Sequence, residues 1–135
     1  MKRLAFIDSG VLIAASRGTG EVASKAFEAI NDPDVEFASS IFVKLETMPK
    51  ALYFKRKDEA EFYETFFKSV SVWVESSQTL AQSALDEAST NGLGAVDALH
   101  VTAAAQCKAD EFITAEKTKS ALSRVSSVSV RFIAS

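Results

Sequence analysis

The sequence predicts an α/β fold with a mostly parallel central sheet of four to five strands between layers of helices. Three observations predict it. Short apolar or β-branched runs recur at Leu4–Ile7, Val35–Ala38, Val70–Val74, Glu111–Thr114 and Val128–Ile133, and runs of this length bounded by turn residues read as strands. The segments between most of them carry apolar residues at helical spacing. Strands alternating with helices imply right-handed crossovers and hence parallel pairing.

Taken in order, the first run, Leu4–Ile7, stops at one acid, Asp8, and Val11–Ser16 follows as a short helix. Arg17-Gly18-Thr19-Gly20 is a loop. Glu21–Ile30 places Val22, Ala23, Ala26, Phe27 and Ile30 at helical spacing, and Asn31-Asp32-Pro33-Asp34 ends it with strong turn signals. After the second strand, Ser39 or Ser40 caps a helix through Ile41, Phe42, Val43, Leu45 and Met48. Pro49 bends or ends that helix, because it lacks the amide hydrogen. Asp58–Phe67 is a helix with aromatic pairs, Phe62/Tyr63 and Phe66/Phe67, four residues apart. The third strand follows at Val70–Val74. Ser76 or Ser77 caps the next helix, which carries Leu80, Ala81, Ala84, Leu85 and Ala88 and closes at Asn91-Gly92. Ala95–Ala109 is a strongly apolar helix leading to the fourth strand. Thr118–Leu122 makes one or two helical turns, and the last strand alternates as if half-covered.

Residues 1–135 fit one domain with a substantial core. Composition is ordinary for a globular protein, with 47% apolar and 24% charged residues. No apolar run approaches the roughly 20 residues of a membrane helix. Met1-Lys2-Arg3 lacks the apolar length and cleavage site of a signal peptide. The single cysteine, Cys107, rules out an internal disulfide and a cysteine metal cluster, and reads as buried filler in an Ala-rich helix. The expected compartment is the cytoplasm. The net charge of −3 is uneven: residues 1–57 carry nine Lys/Arg against seven Asp/Glu, and residues 58–135 carry six against eleven. This argues against tight non-specific nucleic-acid binding, but not against an acidic, cation-loaded site acting on a phosphodiester.

Four acids stand in settings that permit such a site. Asp8 falls beyond a strand's carboxyl end, where open α/β sheets bind ligands; as a lone residue it equally suits a helix N-cap. Asp97 is the first charge in the apolar helix, where it would complement the helix dipole by about 0.3–1 kcal/mol. Glu116 follows the fourth strand, and alone reads as a solvated loop acid. Glu46 flanks the apolar face formed by Ile41, Phe42, Leu45 and Met48. Converging carboxylates repel one another unless protonated or bridged by a cation. A hard divalent cation with oxygen ligands resolves the repulsion. One Mg²⁺ or Mn²⁺, or a pair about 3.5–4 Å apart, can activate water and stabilise the leaving oxygen of a phosphodiester.

The order Phe6-Ile7-Asp8-Ser9-Gly10-Val11-Leu12-Ile13, then Glu46, then Val96-Asp97-Ala98-Leu99-His100-Val101, then Ala109-Asp110-Glu111-Phe112-Ile113-Thr114-Ala115-Glu116 resembles a PIN domain. It is most similar to the small VapC-type toxins of bacterial toxin–antitoxin systems, over nearly the whole chain. The resemblance implies a three-layer α/β/α PIN-like fold and a Mg²⁺- or Mn²⁺-dependent endoribonuclease. It further implies a homodimer and a cognate antitoxin in the active-site groove. By the same resemblance Asp8, Glu46 and Asp97 hold the metal. The fourth acidic position, usually Thr-x-Asp, reads Thr114-Ala115-Glu116 here, which suits an assisting role for Glu116 through water. Ser9 and Thr114 match small hydroxyl positions that could orient water or phosphate, and Asp110 reads as a residue at the start of a strand.

Lys50, Lys55, Arg56 and Lys57 form a basic cluster between two helices. They are either RNA phosphate contacts, with Lys50 and Arg56 the candidates, or a solvated connection. Among Tyr53, Phe54, Phe62, Tyr63, Phe66 and Phe67, some would be core and some a dimer seam or antitoxin groove. His100, one turn after Asp97, reads as a packed, hydrogen-bonded residue rather than a ligand. A phosphatase of the haloacid dehalogenase type needs a second Asp two residues after the first, where Gly10 stands, and Asp8 comes too early for a response-regulator receiver. The expected function is therefore a metal-dependent, single-strand-selective endoribonuclease. The alternative is a PIN-like RNA- or protein-binding module with weak or no catalysis.

Overall fold

A computed structural model describes residues 2–135; Met1, the first residue of the expected 1–135 domain and of its basic N-terminal triplet, lies outside them. The elements run β1 (Arg3–Ile7), α1 (Ser9–Arg17), α2 (Glu21–Ile30), β2 (Val35–Ser40), α3 (Ile41–Tyr53), α4 (Lys57–Ser69), β3 (Val72–Val74), α5 (Gln78–Asn91), α6 (Ala95–Gln106), β4 (Glu111–Thr114) and β5 (Val130–Phe132), with a 3₁₀ turn at Ala121–Arg124. All pairings are parallel and the strand order is β3-β2-β1-β4-β5. Phe6 lies in register with Ala38 on one side and Phe112 on the other.

Right-handed crossovers fix the layers. From β1 to β2 to β3 the chain steps in one direction, which puts α1–α4 on one face. From β3 it returns to β4 and β5, which puts α5 and α6 on the opposite face. The packing agrees: α1 lies against α2, α3 and α4, while α5 lies against α6. The sheet between them is apolar: Ala5, Phe6, Ile7, Phe112 and Ile113 are fully buried. Phe6 stacks on Phe112 with ring centroids 5.9 Å apart. Burying a side chain of this size contributes about 1.5–3 kcal/mol, which lets so short a sheet hold two helical layers.

Several expected boundaries shift. The first helix starts at Ser9, directly after Asp8, and β2 extends to Ser40. Of the two serines, Ser40 caps α3 by accepting from the Phe42 amide, and Ser77 caps α5 by accepting from that of Leu80. Pro49 does not end α3, which continues to Tyr53. The fully buried Val43 and Ala51 bracket Pro49, so their packing holds the helix together across the missing amide hydrogen. The stops are instead lysines with left-handed backbone. Lys55 (φ 55°) ends α3, with Arg56 N donating to Ala51 O. Lys108 (φ 56°) ends α6 before the expected Ala109, with Ala109 N donating to Ala104 O. Cys107 is therefore a half-buried helix cap and not interior filler. Tyr63, Phe66 and Phe67 belong to the core, whereas Tyr53 and Phe54 are exposed. Among the described residues no helix is long and apolar enough to cross a membrane.

Candidate metal centre

The chain direction across the sheet reverses between β1 and β4, and ligands of open α/β sheets bind beyond the strand ends at such a switch. Asp8 leaves β1 there and Thr114 ends β4 beside it. Asp8 occupies the N-cap position of α1, but its side chain makes no cap hydrogen bond. Instead Thr114 Oγ1 donates to Asp8 Oδ2 at 2.7 Å, across the switch. The Thr114 hydroxyl itself accepts from the Glu116 amide at 3.1 Å. Asp8 thus has the backbone position of a cap, while its carboxylate is engaged by Thr114.

Two further elements bring their polar groups to the same edge. α3 leaves the end of β2 and carries Glu46. α6 runs toward β4, so its first turns, with Asp97 and His100, lie at the carboxyl edge of the sheet. Ser9 Oγ donates to Glu46 Oε1 at 2.7 Å, and His100 Nε2 lies 2.6 Å from the same oxygen and 3.2 Å from Ser9 Oγ. Asp8, Glu46 and His100 each offer one ligand atom, and these atoms lie within 4.8 Å of one another.

The electrostatics are those of crowded acids taken out of water. Asp8 is pushed up to about 6 from the usual 3.8, chiefly by burial. His100 and the Thr114 hydrogen bond pull it down, and Asp97 and Glu46 push it up again. Glu46 is held below the ordinary carboxylate range, mainly by its hydrogen bond with His100, against some desolvation. Asp97, half-buried, is raised by desolvation first; His100 lowers it and Glu46 raises it. The charges of Asp97 and Glu46 both raise Asp8, and that of Glu46 raises Asp97, so ionising the acids together is costly. A dication removes that cost, and the carboxylate oxygens suit a hard one.

The other candidates fall elsewhere. Glu116 is exposed and its amide, rather than its carboxylate, joins the network. Lys50 is exposed on α3, four residues and about 6 Å along the axis from Glu46. Arg56 packs over the Phe54 ring and approaches Glu59, which also draws Arg17. Arg17 ends α1, about 12 Å along the axis from Ser9. Asp110 accepts from the Leu4 amide at the opposite edge of the sheet, as befits the start of a strand. His100 is packed and hydrogen-bonded as expected, but its partner is Glu46, so it joins the candidate centre. The available signal was its spacing of three from Asp97, which places both on one helix face.

No protein-family model matches the chain, and no curated protein matches it significantly. Solved structures do. A chain of VapBC2 from Rickettsia felis, crystallised bound to a DNA fragment from their promoter, superposes with a TM-score of 0.70 at 12% identity, over 96% of this chain and 98% of that one. A chain of a toxin–antitoxin complex from Klebsiella pneumoniae superposes with a TM-score of 0.75 at 19% identity, over 96% and 97%. The expected three-layer PIN-like fold, and with it the resemblance to VapC-type proteins, is borne out at the level of the fold.

Proposed function

We propose that this chain is a Mg²⁺- or Mn²⁺-dependent endoribonuclease and the toxin component of a type II toxin–antitoxin pair in the cytoplasm. The observation that carries the proposal is the convergence of Asp8, Glu46 and His100 within 4.8 Å at the switch point, with Asp97 close enough to raise Asp8. Asp8, Glu46 and Asp97 would hold the cation. Bound there, the cation supplies activation of water and charge stabilisation at a scissile phosphodiester. The chain's own residues prepare the place: Thr114 fixes Asp8, Ser9 fixes Glu46, and burial keeps bulk water from screening Asp8. Asp97, half-buried at the open edge, would complete the set from α6. Glu116 assists from outside the cluster. Lys50, one turn beyond Glu46 on α3, and Arg56, past the end of that helix, would meet RNA phosphates away from the cut.

Likeness to two toxin–antitoxin structures supports the partner. So does a groove of about 830 Å³ between α3, α4 and β3. Ile41, Leu45, Leu52 and Trp73 line it and are 41–60% exposed, while Lys44 and Lys68 stand at its margin. An apolar surface of this kind suits an antitoxin segment or the seam of a homodimer. A second reading, a binding module with weak or no catalysis, draws on the solvent-facing position of Glu116.

Incubation of a mixed pool of structured RNAs with wild type and Asp97→Asn, in Mn²⁺ and in EDTA, separates the two. The nuclease gives Mn²⁺-dependent cuts in unpaired segments that vanish with EDTA and in the variant. RNA retained without cleavage, by folded protein free of its partner, favours the module.

A further inference from the structure

We infer that His100 is a positioning residue that clamps Glu46, gripping Oε1 together with Ser9 so that Oε2 is presented to the cation. The inference rests on the metal-centre reading above and concerns how that centre is held. Glu46 needs a clamp: its side chain is 39% exposed on a surface helix, and a free glutamate there samples many rotamers. Two donors from two other elements remove that freedom. Ser9 Oγ, from the start of α1, and His100 Nε2, from α6, converge on the one oxygen at 2.7 and 2.6 Å. Oε2 has no hydrogen-bond partner among the described residues. The imidazole is itself immobile. It is fully buried, and the Phe6 ring centroid lies 6.1 Å from its own.

The same geometry argues against His100 as a direct ligand. Its Nδ1 is buried and has no partner among the described residues. A cation on Nε2 would force the ring hydrogen onto Nδ1, where no acceptor lies, whereas ligating histidines almost always donate their other N–H. With the hydrogen on Nε2, Glu46 receives it and Nδ1 is left as a bare acceptor, the less costly arrangement. The cation then keeps an all-oxygen protein ligand set, which suits Mg²⁺ and Mn²⁺.

The test uses the full chain, with Mn²⁺ as the probe, titrated by electron paramagnetic resonance. His100→Leu removes the donor and weakens Mn²⁺ binding by about tenfold to a hundredfold, the range for lost supporting contacts. His100→Gln, whose amide can donate from nearly the same place, restores affinity to within about threefold of wild type. Pulsed spectra of Mn²⁺-loaded wild type show no coupling to an imidazole nitrogen. Unchanged affinity in His100→Leu overturns the clamp, and so does nitrogen coupling in wild type that His100→Gln abolishes. If His100→Leu does not fold, the wild-type spectra and the weakened binding expected of Ser9→Ala decide. Failure of wild type to bind Mn²⁺ overturns the metal centre itself. In that event ¹⁵N spectra of the metal-free protein still decide the hydrogen bond: a ring carrying hydrogen on Nε2 upholds it, and a ring protonated on Nδ1 alone overturns it.

Discussion

Replacing Asp8 with Asn should stabilise the metal-free protein, and the sign of that effect separates a metal ligand from a helix cap. Asp8 is 5% exposed and its pKa is pushed up to about 6, chiefly by burial. A folded-state pKa above the unfolded value means that the folded protein holds this proton more tightly. The associated stability is full below the unfolded value of 3.8 and is lost as pH rises through about 6. At pH 7.5 the ionised side chain therefore costs the fold about 3 kcal/mol, and near pH 4 only about 0.5 kcal/mol. Asn keeps an acceptor for Thr114 and removes the charge. In EDTA at pH 7.5, Asp8→Asn should raise stability by up to about 3 kcal/mol, or about 10 °C in Tm for a chain of this size. The gain should shrink toward pH 4. Circular dichroism during urea and thermal unfolding at both pH values measures it. Added Mn²⁺ should stabilise wild type and leave the variant unmoved. A loss of about 1 kcal/mol at pH 7.5, as for a capping Asp, would refute the reasoning.

Thr114→Val removes a buried hydroxyl that donates to Asp8 and accepts from Glu116. It should cost about 1–3 kcal/mol in urea unfolding. Because that bond lowers the Asp8 pKa, its loss should also move the pH midpoint of Mn²⁺ binding upward from the neighbourhood of 6 set by Asp8, as read by calorimetry across pH 5–8. Glu116→Ala should leave stability within about 0.5 kcal/mol, since the side chain is exposed. The same variant should leave Mn²⁺ affinity unchanged and slow RNA cleavage, which single-turnover rates on one defined RNA would show.

Much of this arrangement was legible in the sequence. The runs around Phe6, Phe37, Trp73 and Phe112 announced parallel strands, and Asp8 announced the edge where a ligand belongs. Ser40 and Ser77 carried their helix starts in plain residue chemistry. The helix stops were less legible, because Lys55 and Lys108 adopt the left-handed turn usually left to glycine. Tertiary packing alone sets those turns. Pro49 misled for the related reason that local propensity was overridden by the buried residues on either side of it. At the site, Thr114 and Ser9 donate to Asp8 and Glu46, whereas the resemblance offered these hydroxyls for water or phosphate. His100 required knowing that α3 and α6 meet, a contact between residues 54 positions apart that no local pattern encodes. The side-chain direction of Glu116 was likewise beyond reach, since a loop fixes its amide on Thr114 and leaves the carboxylate to solvent.

On the reading proposed above, these acids converge to hold a divalent cation at the β1–β4 switch. Anomalous diffraction from a crystal soaked in Mn²⁺ tests it most directly. Wild type should show one or two peaks bounded by Asp8, Glu46 and Asp97, and Asp8→Asn none there. An ordered wild-type site without a peak, or a peak that persists in the variant, would contradict it.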